Sequence, residues 1–333
     1  MSSDEFGFKD ATELAKVVLA EQQKEAAAVK ARSAVSQVDV LALIDEVSGI
    51  ANEDLTTPVE ISSAQGMPAI STLPLEKNKD GKFVWREIAE ASVVATDLKG
   101  STSISYSKQG RVGARLYQAS TGGCSLVLQK FAPDFVDIQG DGLFAIFAGD
   151  LHSERAMCAA ISLNTFGVQL RQMLRDEFGE DVPEMKDSGL KIGADTGLLL
   201  VKRIGVRGEH NEPVWAGKPV NYASKCASEV EAGRVLVTSA FFKPFLDNQY
   251  VRYTCGCVNG EQGHEVSPLW IKKTVDVLGS DSDVREVRST WCSNCGKDFA
   301  KAILGGEKDR GLNTGQLPKW RSDPDAEIED ATP

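Results

Sequence analysis

The sequence predicts an α+β fold, a ferredoxin-like palm with an N-terminal helical extension and a cysteine-containing C-terminal extension. Three observations predict it. Phe135-Val-Asp-Ile-Gln-Gly-Asp-Gly-Leu-Phe-Ala-Ile-Phe147 reads as strand, tight turn, strand, with an alternating first arm and an apolar second arm. A helix-length amphipathic pattern stands on each side of that hairpin. Short apolar strand candidates complete the order strand, helix, hairpin, helix, two strands, helix, strand.

The elements follow in chain order. Residues 1–50 form the helical extension. Asp10 to Arg32 is rich in Ala, Glu, Gln and Lys and holds no Gly or Pro, a composition that favours helix. Leu14, Val17 and Val18 share one face, and Glu21 breaks the stripe. Val38 to Val47 carries a second short amphipathic pattern. Such a helix either packs on the body or dimerises, and the heptad pattern is too short to choose. Residues 51–87 contain Pro58, Pro68 and Pro74 and read as a linker or irregular cover.

The main domain is expected over residues 88–250. Ala91 to Thr96 is its first strand, and Gly110 to Phe131 its first helix. Gly122 and Gly123 inside that helix either weaken it or allow close packing on the sheet. After the hairpin, Leu151 to Phe178 sets Ala156, Ala159, Ala160, Leu163, Phe166, Leu170 and Leu174 at helical spacing, which marks them as core. Leu190 to Asp195 and Leu198 to Ile204 read as two strands, Lys218 to Glu231 as a helix, and Val235 to Thr238 as a strand. Residues 251–305 form the C-terminal extension. Residues 306–333 gather Gly, Asp and Pro into an acidic, disordered end.

Bulk properties narrow the class. The 333 residues suffice for one substantial domain with additions, and 42% hydrophobic content is ordinary for a globular chain. A net charge of −11 without a basic run argues against nucleic-acid or anionic-membrane partners. No apolar stretch is long enough to cross a bilayer. Seven cysteines without a signal-peptide pattern point to a reduced, cytoplasmic setting.

Two aspartates carry the chemistry. Gly140 and Gly142 allow the sharp hairpin turn that holds Asp141 at a sheet rim. Asp97 ends the first strand and precedes the small-residue loop Leu98-Lys-Gly-Ser-Thr102, whose amides can cradle phosphates. Alone, Asp97 would be a helix cap and Asp141 a hairpin aspartate. Together, beside that loop, they favour a Mg²⁺ or Mn²⁺ nucleotide site, because these ions prefer oxygen ligands and bridge phosphates.

Asp97-Leu-Lys-Gly-Ser-Thr102, Gly140-Asp141, Gly193-Ala-Asp-Thr-Gly197 and Trp215-Ala-Gly-Lys-Pro-Val-Asn-Tyr-Ala-Ser-Lys225 stand in the order found in class III nucleotidyl cyclases. The chain resembles that family over residues 88 to 245. The resemblance implies the class III cyclase homology domain and two metal ions per site. It implies that Asp97, Asp141 and the Leu98 carbonyl hold the metals, while Lys99, Gly100, Ser101 and Thr102 face the phosphates. Asn221 then matches the asparagine that orients the ribose. Lys225 stands where the family usually has a transition-state arginine; it keeps the charge without the planar fork. The family builds each site from two subunits, so the resemblance implies a head-to-tail homodimer with shared sites.

Base choice follows from two positions in the resemblance, three residues before Gly140 and three before Gly217. Asp137 and Val214 occupy them, and neither purine code is present. An ionised Asp137 can pair only with a donor on the base, and Val214 makes no side-chain hydrogen bond. The phrases around Asp141 and Asn221 are most similar to bacterial pyrimidine cyclases of the Pycsar antiphage system. That likeness implies cyclisation of UTP, or of CTP, to a 3′,5′-cyclic monophosphate that activates a separate effector protein. Tyr106 either fills the pocket beside the smaller base or packs on the first helix. The alternatives are an adenylate cyclase with an unorthodox pocket and a catalytically inactive nucleotide-binding regulatory module.

The C-terminal extension lies outside the resemblance. Cys255 and Cys257 form a CxC, and Cys292 and Cys295 a CxxC. They are either four thiolate ligands of a structural Zn²⁺ or four unligated reduced thiols. His264 is a substitute ligand candidate.

Overall fold

The computed structural model describes residues 39–64, 66–101, 110–178, 188–206, 210–257, 266–287 and 289–312. The chain divides into two compact units, Met1–Pro58 and Val59–Pro333. In the first, helix α1 spans Val40–Thr56. Asp39 caps it, its carboxylate accepting from the amides of Leu41 and Ala42. The helix thus extends past the expected amphipathic stretch into the segment read as linker. The helix expected over 10–32 lies outside the described residues, as does the acidic end beyond 312.

The second unit is built on one nine-stranded sheet. Its strands are β1 (Val59–Ser63), β2 (Phe83–Lys99), β3 (Phe135–Gln139), β4 (Gly142–Ala148), β5 (Gly189–Val206), β6 (His210–Ala216), β7 (Arg234–Thr238), β8 (Trp270–Thr274) and β9 (Asp283–Val287). The order is β3-β4-β2-β5-β7-β9-β8, with β1 on β2 and β6 on β5. β2 runs antiparallel to β4 and β5, and β5 runs parallel to β7. The longer helices are α2 (Gly110–Gln129), α3 (His152–Phe178), α4 (Lys218–Glu229) and α5 (Ser293–Leu304). The α+β palm order read from the sequence is therefore present.

Strand alternation sends successive side chains to opposite faces, and each face has its own core. Val94, Ala145, Ile192 and Ala194 pack with α2 and α3 through Leu116, Ala160 and Leu163. Val93, Ala95, Phe144 and Val201 pack on the other face with Ala223 and Ala227 of α4. Gly123 does allow a close approach, but to α3 rather than to the sheet. A Cβ there would sit 2.2 Å from the Phe166 ring.

Three stretches differ from expectation. The two strands expected at Leu190–Asp195 and Leu198–Ile204 are one strand, β5. Gly197 between them is not a break; it leaves room for Pro219, which a Cβ would meet at 3.3 Å. β6 was not evident because Pro213 interrupts a polar stretch. Among the described residues β6 pairs only with β5, and such an edge tolerates proline. Finally, the C-terminal extension continues the main sheet. β9 pairs with β7, β8 pairs with β9, and α5 buries Phe299 and Ile303 in the core that holds α3.

Candidate active site

The end of β2 sets the site. Leu98 is buried in the α2–α3 core, so alternation turns its neighbours Asp97 and Lys99 to the α4 face. Asp97 pairs with Lys191 of β5, and the Lys191 ammonium stands 3.7 Å from its carboxylate. Lys99 pairs with Glu231 at 2.5 Å, and the Lys99 ammonium holds the Glu231 carboxyl below its ordinary range. The chain then turns at Gly100, whose φ of +89° favours glycine. Ser101 follows, buried, and its hydroxyl donates to the Asp141 carboxylate.

Asp141 comes from the β3–β4 turn. Gly140 takes φ +66° there. Gly142 has no room for a side chain, since a Cβ would lie 2.8 Å from the Thr96 carbonyl. The hairpin end therefore presses directly on the end of β2. Thus Ser101 holds Asp141, forty residues on in sequence, against the end of β2 that also carries Asp97. A cleft of about 280 Å³ opens at Asp97, lined also by Thr96, Gln139, Gly142 and Leu143 and by Ser224 and Ser228 of α4. Two carboxylates and a hydroxyl are hard oxygen donors, which fit Mg²⁺ or Mn²⁺.

Helix α4 begins after Gly217, where a Cβ would lie 2.6 Å from the Leu198 carbonyl. The Asn221 amide donates to the Gly217 carbonyl at 3.2 Å. The Lys225 ammonium donates to the Val277 carbonyl at 3.0 Å and lies over the Tyr222 ring. Asn221 and Lys225 line an open cleft of about 600 Å³ with Lys218, and Ser224 borders both clefts. Within one chain, then, Asp97 and the Asn221–Lys225 pair face different clefts.

The two base positions also separate. Asp137 lies on the α4 face with Phe135, and its carboxylate accepts from the Gln139 amide at 2.8 Å. Phe135 reaches Trp215 of β6, ring centroids 4.9 Å apart. Val214 precedes Trp215, so it points to the opposite face. It is 40% exposed. Thr102, Tyr106 and His264 lie outside the described residues.

Lys191 and Gln139 are site residues that the sequence did not single out. Lys191 is the polar position in Leu190-Lys-Ile192, a visible alternation, but its partner depends on strand register.

The four tail cysteines converge. Their sulfurs all lie within 4.8 Å of one another, and those of Cys257 and Cys295 are 3.6 Å apart. Cys292 caps α5, its sulfur accepting from the Cys295 amide at 3.4 Å. Burial pushes the Cys292 thiol up, but hydrogen bonds from the Cys295 amide and thiol and the Asn294 amide bring it down to about 7. Burial, with the neighbouring thiols, pushes Cys295 above the ordinary thiol range.

No family model matches the chain. A uridylate cyclase of Micromonospora echinofusca is 35% identical over 279 residues, covering 83% of this chain and 87% of that protein. A uridylate cyclase of Propioniciclava tarda is 35% identical over 275 residues, covering 81% and 86%. Among solved structures, the adenylyl cyclase CyaB from P. aeruginosa aligns with a TM-score of 0.49 at 19% identity, over 62% of this chain and 96% of that one. The chain belongs to the uridylate cyclase family, which bears out the resemblance drawn from its four motifs.

Proposed function

We propose that this chain is a uridylate cyclase that converts UTP to 3′,5′-cyclic UMP and pyrophosphate. The Ser101–Asp141 hydrogen bond, set against the end of the strand that carries Asp97 into a cleft, carries the reading. Membership of a family whose relatives are uridylate cyclases supports the choice of base. In the reaction the ribose 3′-oxygen forms a bond to the α-phosphorus, the bond from that phosphorus to the bridging oxygen breaks, and the hydroxyl proton is released.

Asp97 and Asp141 would hold two Mg²⁺ or Mn²⁺ ions, with the Leu98 carbonyl as a further ligand. When bound, the metals neutralise triphosphate charge and favour the ionised 3′-oxygen. The turn at Gly100 leaves backbone amides to receive phosphate oxygens, and Ser101 fixes the Asp141 carboxylate. Asn221 orients the ribose, and Lys225 stabilises charge that develops at the α-phosphate. Asp137, steadied by Gln139, accepts from the N3–H of uracil.

The separation of the two clefts within one chain favours a shared site. In a head-to-tail homodimer, Asn221 and Lys225 of one protomer complete the carboxylate cleft of its partner, giving two equivalent centres. No helix among the described residues is long and apolar enough to cross a membrane. The enzyme works in the cytoplasm, and its cyclic product signals to a separate effector during phage infection.

The test is to incubate the purified protein with Mn²⁺ and each of the four ribonucleoside triphosphates, with Asp97→Ala as control. Cyclic UMP as the dominant product by mass spectrometry is expected. Dominant cyclic CMP would move the substrate to CTP. Cyclic AMP or GMP would overturn the role given to Asp137, and absence of any product would overturn the enzyme.

A further inference from the structure

We propose that Cys255, Cys257, Cys292 and Cys295 bind one structural Zn²⁺ that fastens the two ends of the C-terminal extension to each other. The cluster shares no residue with the carboxylate cleft, and the proposal stands whether or not the chain cyclises UTP.

The geometry is that of a closed tetrathiolate site. Zinc holds thiolates at about 2.3 Å in a tetrahedron, which sets neighbouring sulfurs about 3.8 Å apart. Here four sulfurs lie within 4.8 Å of one another, one pair at 3.6 Å. A disulfide needs sulfurs about 2.05 Å apart, and all four cysteines are free. An iron–sulfur cluster interposes inorganic sulfide and spreads its cysteines more widely than this group. Four protein ligands leave no open position for substrate, which marks the site as structural rather than catalytic.

The ligands come from two segments that need a fastener. Cys255 and Cys257 follow Tyr253, which forms an isolated bridge with Pro268. Cys292 and Cys295 open α5. Around them the packing is already made. Trp291 and Tyr250 both meet Phe299 edge to face, and the Arg310 guanidinium lies 4.4 Å from the Phe299 ring centroid. Arg310 also donates to the Tyr253 and Thr254 carbonyls. On the inner side, Asn164 of α3 donates to the Ser289 carbonyl, just before the CxxC. A metal at this point therefore joins the start of α5, which packs in the core that holds α3, to the segment that leads from Tyr253 toward β8.

Metal content of the full-length protein tests this. Elemental analysis should give one zinc per chain, retained by Asp97→Ala and lost from Cys292→Ser/Cys295→Ser. Cobalt exchanged into the wild-type protein should show the intense ligand-field bands of a tetrahedral, sulfur-only site. That readout is independent of whether the cysteine variant folds. Zinc-free protein with all four thiols titrating as free, a Cys257–Cys295 disulfide in the unreduced protein, or iron in place of zinc would each overturn the proposal.

Discussion

Lys191 lies opposite Asp97 in the β5–β2 ladder, and its ammonium stands 3.7 Å from the Asp97 carboxylate. A divalent cation on Asp97 must share that carboxylate with a cation already beside it. Asp97 is nearly half exposed, so the pair is worth at most about 1 kcal/mol, or roughly fivefold in binding. Lys191→Met keeps the apolar stem and removes the charge. The Mn²⁺ concentration for half-maximal activity should fall, by up to about fivefold. A metal titration checks it, and an unchanged or higher requirement would show that Lys191 does not compete.

The packing of α4 on β5 leaves no room at Gly193. A Cβ there would lie 2.0 Å from the Ala223 carbonyl and 2.3 Å from the Ala227 amide, both backbone atoms of α4. Gly193→Ala must displace the helix that carries Asn221 and Lys225. Overpacking of this kind costs roughly 1–3 kcal/mol or more, and a unit of this size loses about 2–4 °C per kcal/mol. Thermal denaturation should show a clear fall in midpoint, with activity falling too. Gly49 in α1 is the control, because a Cβ there meets nothing within 4 Å. Gly49→Ala should be neutral or stabilise by up to about 1 kcal/mol.

Local chemistry was legible in the sequence, and register was not. The Gly140–Asp141–Gly142 turn announces itself because glycine is needed there whatever surrounds it. The helical spacing of Ala156, Ala160 and Leu163 likewise fixes which face is buried. The Asp97–Lys191 pairing depends on how β2 slides against β5, which neither strand encodes alone. The polar stretch His210–Ala216 hid β6 because an edge strand needs only one partner. The CxC and CxxC were visible as motifs, but their meeting is a tertiary event, produced by β8 and β9 folding back on β7.

The proposed contact from Asp137 to the base can be tested directly. Its carboxylate is acceptor-only and is oriented by the Gln139 amide. Uracil offers a donor at N3, where cytosine offers an acceptor. Asp137→Asn adds a donor at the same place and should narrow the ratio of kcat/KM for UTP over CTP. A hydrogen bond to a charged group is worth about 1.5–3 kcal/mol, so the narrowing should be tenfold or more. Kinetics with both triphosphates measure it, and an unchanged ratio would place the selecting group elsewhere.

A site shared between two protomers makes a prediction that no single-chain site can meet. Asp97 faces one cleft, and Asn221 and Lys225 face another. If one protomer supplies the carboxylates and its partner supplies α4, Asp97→Ala and Asn221→Ala each inactivate both centres of their own homodimers. A mixed dimer differs. The Asn221→Ala protomer still offers Asp97, and the Asp97→Ala protomer still offers Asn221, so one centre is whole and the other lacks both. Equal amounts, unfolded and refolded together, give mixed dimers for half the population, each with one working centre of two. Activity should then recover to about one quarter of wild type. Recovery near that value requires the two clefts to meet across a subunit boundary. A mixture as inactive as its components would put both halves of the site in one chain, and the separation of Asn221 from Asp97 would then have to close by movement of α4.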